Sequence, residues 1–238
     1  MTDTVEMPAY MNVLANRIYS DSVASGVLDD NRVVTFLNLG ANNKIIKELV
    51  QEITKNAHVL QIGVTFGKEM HAVYNKVCKQ GKFDVFDVSP LQVKRARVKF
   101  RHFNINIMNY DASVPWEEKY DVIVCYNIIK ELPLKTRRKV MDNVLNSLTN
   151  GGKAVFIDCA EPTPLNPLKW PLFWFNRLYR PFAESLWNSP IEDFCSNKDE
   201  FRWQHTYYWG RIHQKTVAVR KILSSEDVKK LTNLFRGS

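Results

Sequence analysis

Between residues 44 and 160 the chain alternates short apolar runs with longer segments of helical periodicity, and this alternation constrains its fold more than any other feature. Lys44 to Lys55 places Ile45, Ile46, Leu49, Val50 and Ile53 at helical spacing. His58 to Ile62 is a short apolar strand. Gly67 to Gln80 sets Met70, Val73, Tyr74, Val77 and Cys78 on one helical face, with Gly81 as its C-cap. Phe83 to Val88 reads as a second strand, and Ser89-Pro90 as the N-cap and first residue of the next helix. Asn104 to Met108 is a weaker third strand, and Tyr120 to Tyr126 a Val- and Ile-rich fourth. Leu134 to Leu148 is a helix that Asn150-Gly151-Gly152 ends, and Lys153 to Asp158 is a fifth strand. Strands separated by helical patterns of this length imply βαβ units and a parallel sheet. Right-handed crossovers then put helices on both faces, a doubly wound α/β architecture. Ligands of such sheets bind beyond the carboxyl ends of the strands, at the switch point.

The whole chain, 1–238, reads as one domain with two additions. Residues 1–43 form an N-terminal helical cap, with Tyr10, Met11, Leu14, Ile18 and Tyr19 in one pattern and Val33 to Leu39 in a second. Residues 44–160 are the α/β core, and 161–205 an aromatic helical insert. Residues 206–222 read as a hairpin, Tyr207 to Ile212 and Thr216 to Ile222 across a short polar turn. With 45 % hydrophobic and 24 % charged residues, a mostly disordered chain, a collagen-like repeat and a coiled coil are excluded. Cys78, Cys125, Cys159 and Cys195 form no C-x-x-C, which argues against a zinc ribbon or a dithiol redox site. Cys125 and Cys159 read as buried thiols in a reducing compartment. The first residues show no secretory pattern, and no run reaches the ~20 apolar residues of a membrane span. The expected location is the cytosol, or the mitochondrial matrix of a eukaryote, with peripheral attachment to the inner membrane.

Lysine and arginine number 33 against 25 acids, a net charge of +8. Such a balance suits an anionic partner: nucleic acid, an acidic membrane surface or an anionic cofactor.

The turn after the first strand, Gln61-Ile62-Gly63-Val64-Thr65-Phe66-Gly67, allows close backbone approach by a ligand at Gly63 and Gly67. The helix that follows offers free N–H groups to an anion. Asp87, with Val88 after it, ends the second strand 24 residues beyond Gly63, where an acid can accept both hydroxyls of a ribose. Asp111-Ala112 follows the third strand and Tyr126-Asn127 closes the fourth. Polar residues at successive strand ends, all on one edge of the sheet, are the strongest functional signal in the chain.

On these residues the chain resembles the class I S-adenosylmethionine-dependent methyltransferases, over about residues 44–222. The resemblance implies a seven-stranded Rossmann-like methyltransferase fold whose last strand is antiparallel. In that family's motif an acid stands where this chain has Gln61, and a glycine where it has Thr65. Asp87 matches the ribose-binding acid, and Asp111-Ala112 the pair that recognises adenine. The implied cofactor is S-adenosylmethionine, held by Gln61, Gly63, Gly67, Asp87, Val88, Asp111, Ala112, Tyr126 and Asn127.

A narrower similarity covers nearly the whole chain. Pro8-Ala9-Tyr10, Leu28 to Val34, Asp87 to Val93, Pro167 to Pro171, Arg180 to Trp187, and Tyr208 to Lys215 resemble the rhodoquinone-biosynthesis family RquA. That resemblance implies conversion of ubiquinone to rhodoquinone, with S-adenosylmethionine supplying an amino group and Mn2+ assisting. The chain departs from the family's polar pattern at Phe66-Gly67-Lys68, Lys130-Glu131 and Asp158-Cys159-Ala160. Methyl transfer to a quinone, a small molecule or RNA stays open, as does a degenerate, non-catalytic scaffold.

Asp158, at the end of the fifth strand, could orient a nucleophile, hold a metal, accept a proton, or cap a turn. Glu131 and His205 are the other catalytic candidates, set against a solvated charge and a structural histidine. The metal ligands are unassigned. Trp170 to Phe182 joins aromatics to Lys169, Arg177 and Arg180, which suits a membrane interface or a lipophilic substrate channel. A helix buried against the sheet is the alternative. The expected partners are a lipophilic quinone and an anionic membrane surface. No RNA-binding module is recognisable, and no DNA partner is expected.

Overall fold

The computed structural model describes residues 8–12, 21, 26, 29–37, 40–77 and 80–221. Leu14, Ile18, Tyr19, Cys78 and Ile222, read above as parts of elements, lie outside them. In chain order come a 3-10 turn at Ala9–Asn12, α1 (Asn31–Leu37), α2 (Asn42–Glu52), β1 (His58–Ile62), α3 (Glu69–Val77), β2 (Lys82–Asp87) and α4 (Pro90–Lys99). Then follow β3 (Asn106–Asn109), β4 (Tyr120–Tyr126), α5 (Leu134–Asn146), β5 (Leu148–Cys159), α6 (Lys169–Tyr179), α7 (Ser185–Asn188), β6 (Phe201–Tyr208) and β7 (His213–Arg220).

The seven strands form one sheet in the order β3-β2-β1-β4-β5-β7-β6. Its first five strands pair in parallel, and β7 runs antiparallel to both β5 and β6. Alternation along the strands divides the core between two faces. Val59, Val85, Val122, Val124 and Val155 pack with Ile45, Leu49, Met70, Val73 and Val93 of α2, α3 and α4. Leu60, Phe86, Ile123, Cys125 and Phe156 pack with Met141, Val144 and Leu145 of α5, and with Leu186, Ile191 and Phe194 of the insert. The order reverses between β1 and β4, so the switch point lies where the sequence places its glycine turn.

The hairpin differs from the sequence reading. Its strands begin at Phe201 and His213, and residues 209–212 make the turn. Trp209, Gly210 and Arg211 all take positive φ there, 54°, 59° and 68°. The residues read as a polar turn are buried in β7, where Gln214 and Lys215 find partners. Gln214 donates to the Cys159 carbonyl at 2.8 Å, and the Lys215 ammonium reaches Glu52 at 2.8 Å and Glu48 at 3.2 Å. The insert therefore ends at residue 200, five residues short of the expected boundary. At the other end of β5, Gly151 takes φ 76° and the pairing with β4 jumps from Leu148 to Lys153, a bulge where the sequence suggested a clean break.

Among the described side chains that tie the insert to the core, Arg137 makes the most hydrogen bonds. Arg137 of α5 is fully buried and donates to the carbonyls of Ile129, Leu132 and Phe182 and to the Ser185 hydroxyl, at 2.6–3.1 Å. Its guanidinium also lies 4.7 Å from the Phe194 ring centre.

Candidate functional site

The carboxyl ends of β1 to β5 converge on one crevice. β1 ends in Gly63, whose φ of 87° turns the chain and whose N–H reaches across to the Phe86 carbonyl at 2.7 Å. A Cβ at this position would meet Ile128 Cδ1 at an ordinary contact of 3.4 Å, but the backbone conformation is one that L residues rarely adopt. At the end of β2, Asp87 accepts the N–H of Val64 on one oxygen and of Ser89 on the other, both at 2.7 Å. The carboxylate thus braces the glycine turn and the start of α4 together. Burial pushes its pKa up to about 6, although those two N–H groups pull it down. Asp111, beyond β3, accepts the Ser113 N–H at 2.8 Å, and the neighbouring Ala112 carbonyl accepts from Asn143 of α5 at 3.0 Å. Tyr10 stands beside both acids. Burial, and then the charges of Asp111 and Asp87, hold its phenol above the ordinary range. The cap thus brings an aromatic ring to the two residues expected to hold ribose and adenine.

Under the glycine turn lies a buried polar group that sequence reasoning missed. Gln61 is fully buried and points beneath the turn, donating to the Gly63 carbonyl and to Glu69 Oε2, each at 3.1 Å. Thr65 donates to the same Glu69 oxygen. Glu69, at the start of α3, thus places a carboxyl group against Gln61, the position where the resembled motif has an acid. Burial raises its pKa to about 7 despite bonds from Thr65 and Gln61 that lower it. Its place on the face of Val73 and Val77 was the signal available in the sequence. The anion site expected at the start of α3 is taken by the chain itself: Asp29 accepts the Gly67 N–H at 3.2 Å and binds the Lys99 ammonium at 2.7 Å.

Tyr126 turns away from the crevice, its hydroxyl donating to Asn42 of α2 at 3.1 Å. Asn127 takes φ 56° and lies at the crevice mouth. Lys130 follows in a 3-10 turn, Ile129–Glu131, and is buried between Asn127 and Asp158. Glu131 is buried too, 3.6 Å from the Arg180 side chain that α6 delivers to this edge. Cys159 is held up at about 12, first by burial and then by Asp158, so it stays a thiol and is no nucleophile at neutral pH. His205 does not join the group. It sits in mid-strand on β6, bonded to Thr216 at 3.1 Å and Glu192 at 3.2 Å. Asp158, Glu131, Asn127, Asp87, Val88, Asp111 and the glycine turn thus share one edge, while Gln61 and Tyr126 support it from within.

A nucleoside-bearing cofactor fits this arrangement: an open backbone turn, then two carboxylates at successive strand ends. The manganese implied by the RquA resemblance does not fit. Asp158 is bound by Lys130 and Glu131 by Arg180, and among the described residues no three His, Cys, Asp or Glu side chains gather around one point.

Known proteins share this fold. Residues 60–154 match a family model described as a methyltransferase domain. No curated protein sequence matches the chain. The fold is similar to the N-methyltransferase NodS from Bradyrhizobium japonicum WM9 in complex with S-adenosyl-L-homocysteine, at 15 % identity and a TM-score of 0.56, over 87 % of this chain and 97 % of that one. It is also similar to an O-methyltransferase family protein from Burkholderia thailandensis, at 12 % identity and a TM-score of 0.66, over 89 % and 64 % of the two chains. A third similarity is to LepI in complex with S-adenosylmethionine, at 13 % identity and a TM-score of 0.54, over 74 % and 46 %. The sheet order and these likenesses together make this the Rossmann-like methyltransferase fold.

Proposed function

We propose that the chain is an S-adenosylmethionine-dependent transferase acting on a membrane-borne quinone, transferring an amino group as its resemblance to the rhodoquinone-biosynthesis family implies. Asp87 and Asp111 would hold the cofactor's ribose and adenine, Tyr10 would cover them, and the turn at Gly63 would face its amino-acid part. When bound, the cofactor would supply its amino group in exchange for a ring methoxy group of the quinone, whereas its sulfonium would supply the carbon in methyl transfer. The chain's own residues orient the acceptor: Asp158 fixes Lys130, Lys130 fixes Asn127, and Glu131 fixes Arg180 at the mouth.

The observation that carries the quinone reading is α6. This helix is inside out: the buried side chain it contributes is Asn176, while Trp170, Trp174 and Leu178 are 67 %, 57 % and 68 % exposed. Phe175 and Tyr179 extend the apolar face, and Arg177 is exposed among them. An exposed aromatic face with a cation, on a chain of net charge +8, suits the surface of an anionic bilayer. No helix of the described residues is long and apolar enough to cross a membrane. Arg180 links the end of this helix to Glu131, so a lipid-facing element and the crevice are contiguous. Methyl transfer to the same acceptor is the second reading, favoured by the methyltransferase-domain match. Incubation of the protein with a short-chain ubiquinone and S-adenosylmethionine, read by mass spectrometry, tests both. A mass change of amino-for-methoxy exchange supports the first, a gain of a methyl group the second. Unchanged quinone in the presence of bound cofactor would sink both.

A further inference from the structure

At the carboxyl ends of β4 and β5 a lysine occupies a cage of oxygens. Lys130 is 4 % exposed and Asp158 is 0 % exposed. The Lys130 ammonium donates to Asn127 Oδ1 at 2.7 Å and to the Asn127 carbonyl at 3.2 Å, and it lies 3.4 Å from Asp158 Oδ1. Asp158 also accepts the Lys130 backbone N–H at 3.1 Å and the Cys159 N–H at 2.8 Å. A carboxylate, an amide oxygen and a carbonyl around one buried point are the hard donors that bind Mg2+ or Mn2+ elsewhere. Here one ammonium sits among those three oxygens.

We infer that Lys130 is the resident cation of this site: it joins the two strand ends and offsets Asp158 where a divalent ion would otherwise do so, and the site works without manganese. This rests on the reading of this edge as the place of group transfer. Lys130 and Arg180 already stand against Asp158 and Glu131, and the buried Arg137 adds a further cation within electrostatic reach of Asp158. A dication would have to displace the ammonium and then lie beside it. Lys130 acts here as a positioning residue. Its two bonds to Asn127 hold that residue in the left-handed conformation that sets the crevice mouth.

The test is a titration of the full chain with Mn2+, following the spectrum of the free ion by electron paramagnetic resonance. Wild type should take up none, and chelator treatment should leave its transferase turnover within about two-fold. Lys130→Ala empties the cage and leaves a buried carboxylate uncompensated, which is strongly destabilising. It should melt well below wild type, take up one Mn2+, and regain thermal stability as it does so. Lys130→Ala combined with Asp158→Ala should lose that uptake. The inference is overturned if wild type binds one Mn2+ that Asp158→Asn abolishes, or if folded Lys130→Ala takes up none. Should Lys130→Ala fail to fold, the wild-type titration decides alone. Calorimetry with S-adenosylmethionine keeps the two readings apart, since a chain that binds no cofactor defeats the proposed function and leaves the manganese result standing.

Discussion

Asp87 accepts two backbone N–H groups and still holds its proton more tightly than an ordinary aspartate, because burial outweighs them. Only its ionised form offers full acceptor strength to a ribose. Affinity for S-adenosylmethionine, measured by calorimetry, should therefore fall as the pH drops through about 6. At pH 8, Asp87→Asn should bind about 1–3 kcal/mol more weakly, roughly 5- to 150-fold. Unchanged affinity in that variant would remove the residue from the cofactor site. Glu69 carries the same sign into stability. Its folded pKa lies above the ordinary value of 4.5, at about 7, so the native state binds the extra proton. The stability this confers is complete below pH 4.5 and lost as pH rises to 7, on the order of 3 kcal/mol. Glu69→Gln should flatten the dependence of unfolding temperature on pH over that window and melt higher than wild type at pH 8. An unaltered profile would mean that Glu69 is ionised throughout. Asp87 and Asp111 were legible because strand ends and a fixed interval mark them. Glu69 and Lys130 were not, because what decides their role is a partner brought in by folding: Thr65 and Gln61 for one, Asp158 from the next strand for the other.

Among the elements, the five parallel strands and their helices could be read to within a few residues, since period and capping both speak there, although β5 begins at Leu148 rather than Lys153. Ser89 does accept the Gln92 N–H, as an N-cap before Pro90 should. The hairpin was misplaced because polar residues in a central strand resemble a turn until their partners on α2 are seen. For α6 the sequence left a membrane-facing helix and a buried one open, and in the molecule Trp170, Trp174 and Leu178 face outward. The tie between α5 and the insert yields a prediction. Arg137→Met keeps the bulk but takes the guanidinium donors away from the carbonyl oxygens of Ile129, Leu132 and Phe182 and leaves the Leu132 oxygen without its side-chain donor. Denaturant unfolding should show a loss of about 3 kcal/mol or more. Limited proteolysis should cut first between residues 180 and 195. A variant as stable and as resistant as wild type would show the guanidinium to be dispensable.

At the scale of the whole molecule, net charge and one outward-facing helix act together. Each basic residue close to an anionic bilayer adds about 1 kcal/mol of attraction, and the aromatic face adds apolar burial. Flotation with liposomes containing anionic lipid should carry the wild-type protein upward. Trp170→Ser with Trp174→Ser should leave it at the bottom while cofactor binding persists, since both rings are outside the crevice. Phe173 is left unchanged because it turns inward, packing against Trp187 at 6.2 Å between ring centres. Wild-type protein that ignores anionic liposomes would refute the surface role and with it the route proposed for a lipid acceptor. The fold class could be foreseen because alternation is a global property of the sequence. The crevice mouth could not, because it is assembled from α6, β4 and β5, which meet only in three dimensions.

Arg137 also limits how this protein can be rebuilt. Segments that follow the fifth strand of such folds are natural units of exchange when a new acceptor is sought. Here residues 161–200 are not freely separable. A replacement segment has to bring a carbonyl and a hydroxyl to where Phe182 and Ser185 stand, or it inherits a buried guanidinium with two of its four partners gone. Successful chimeras will trade the segment and position 137 together.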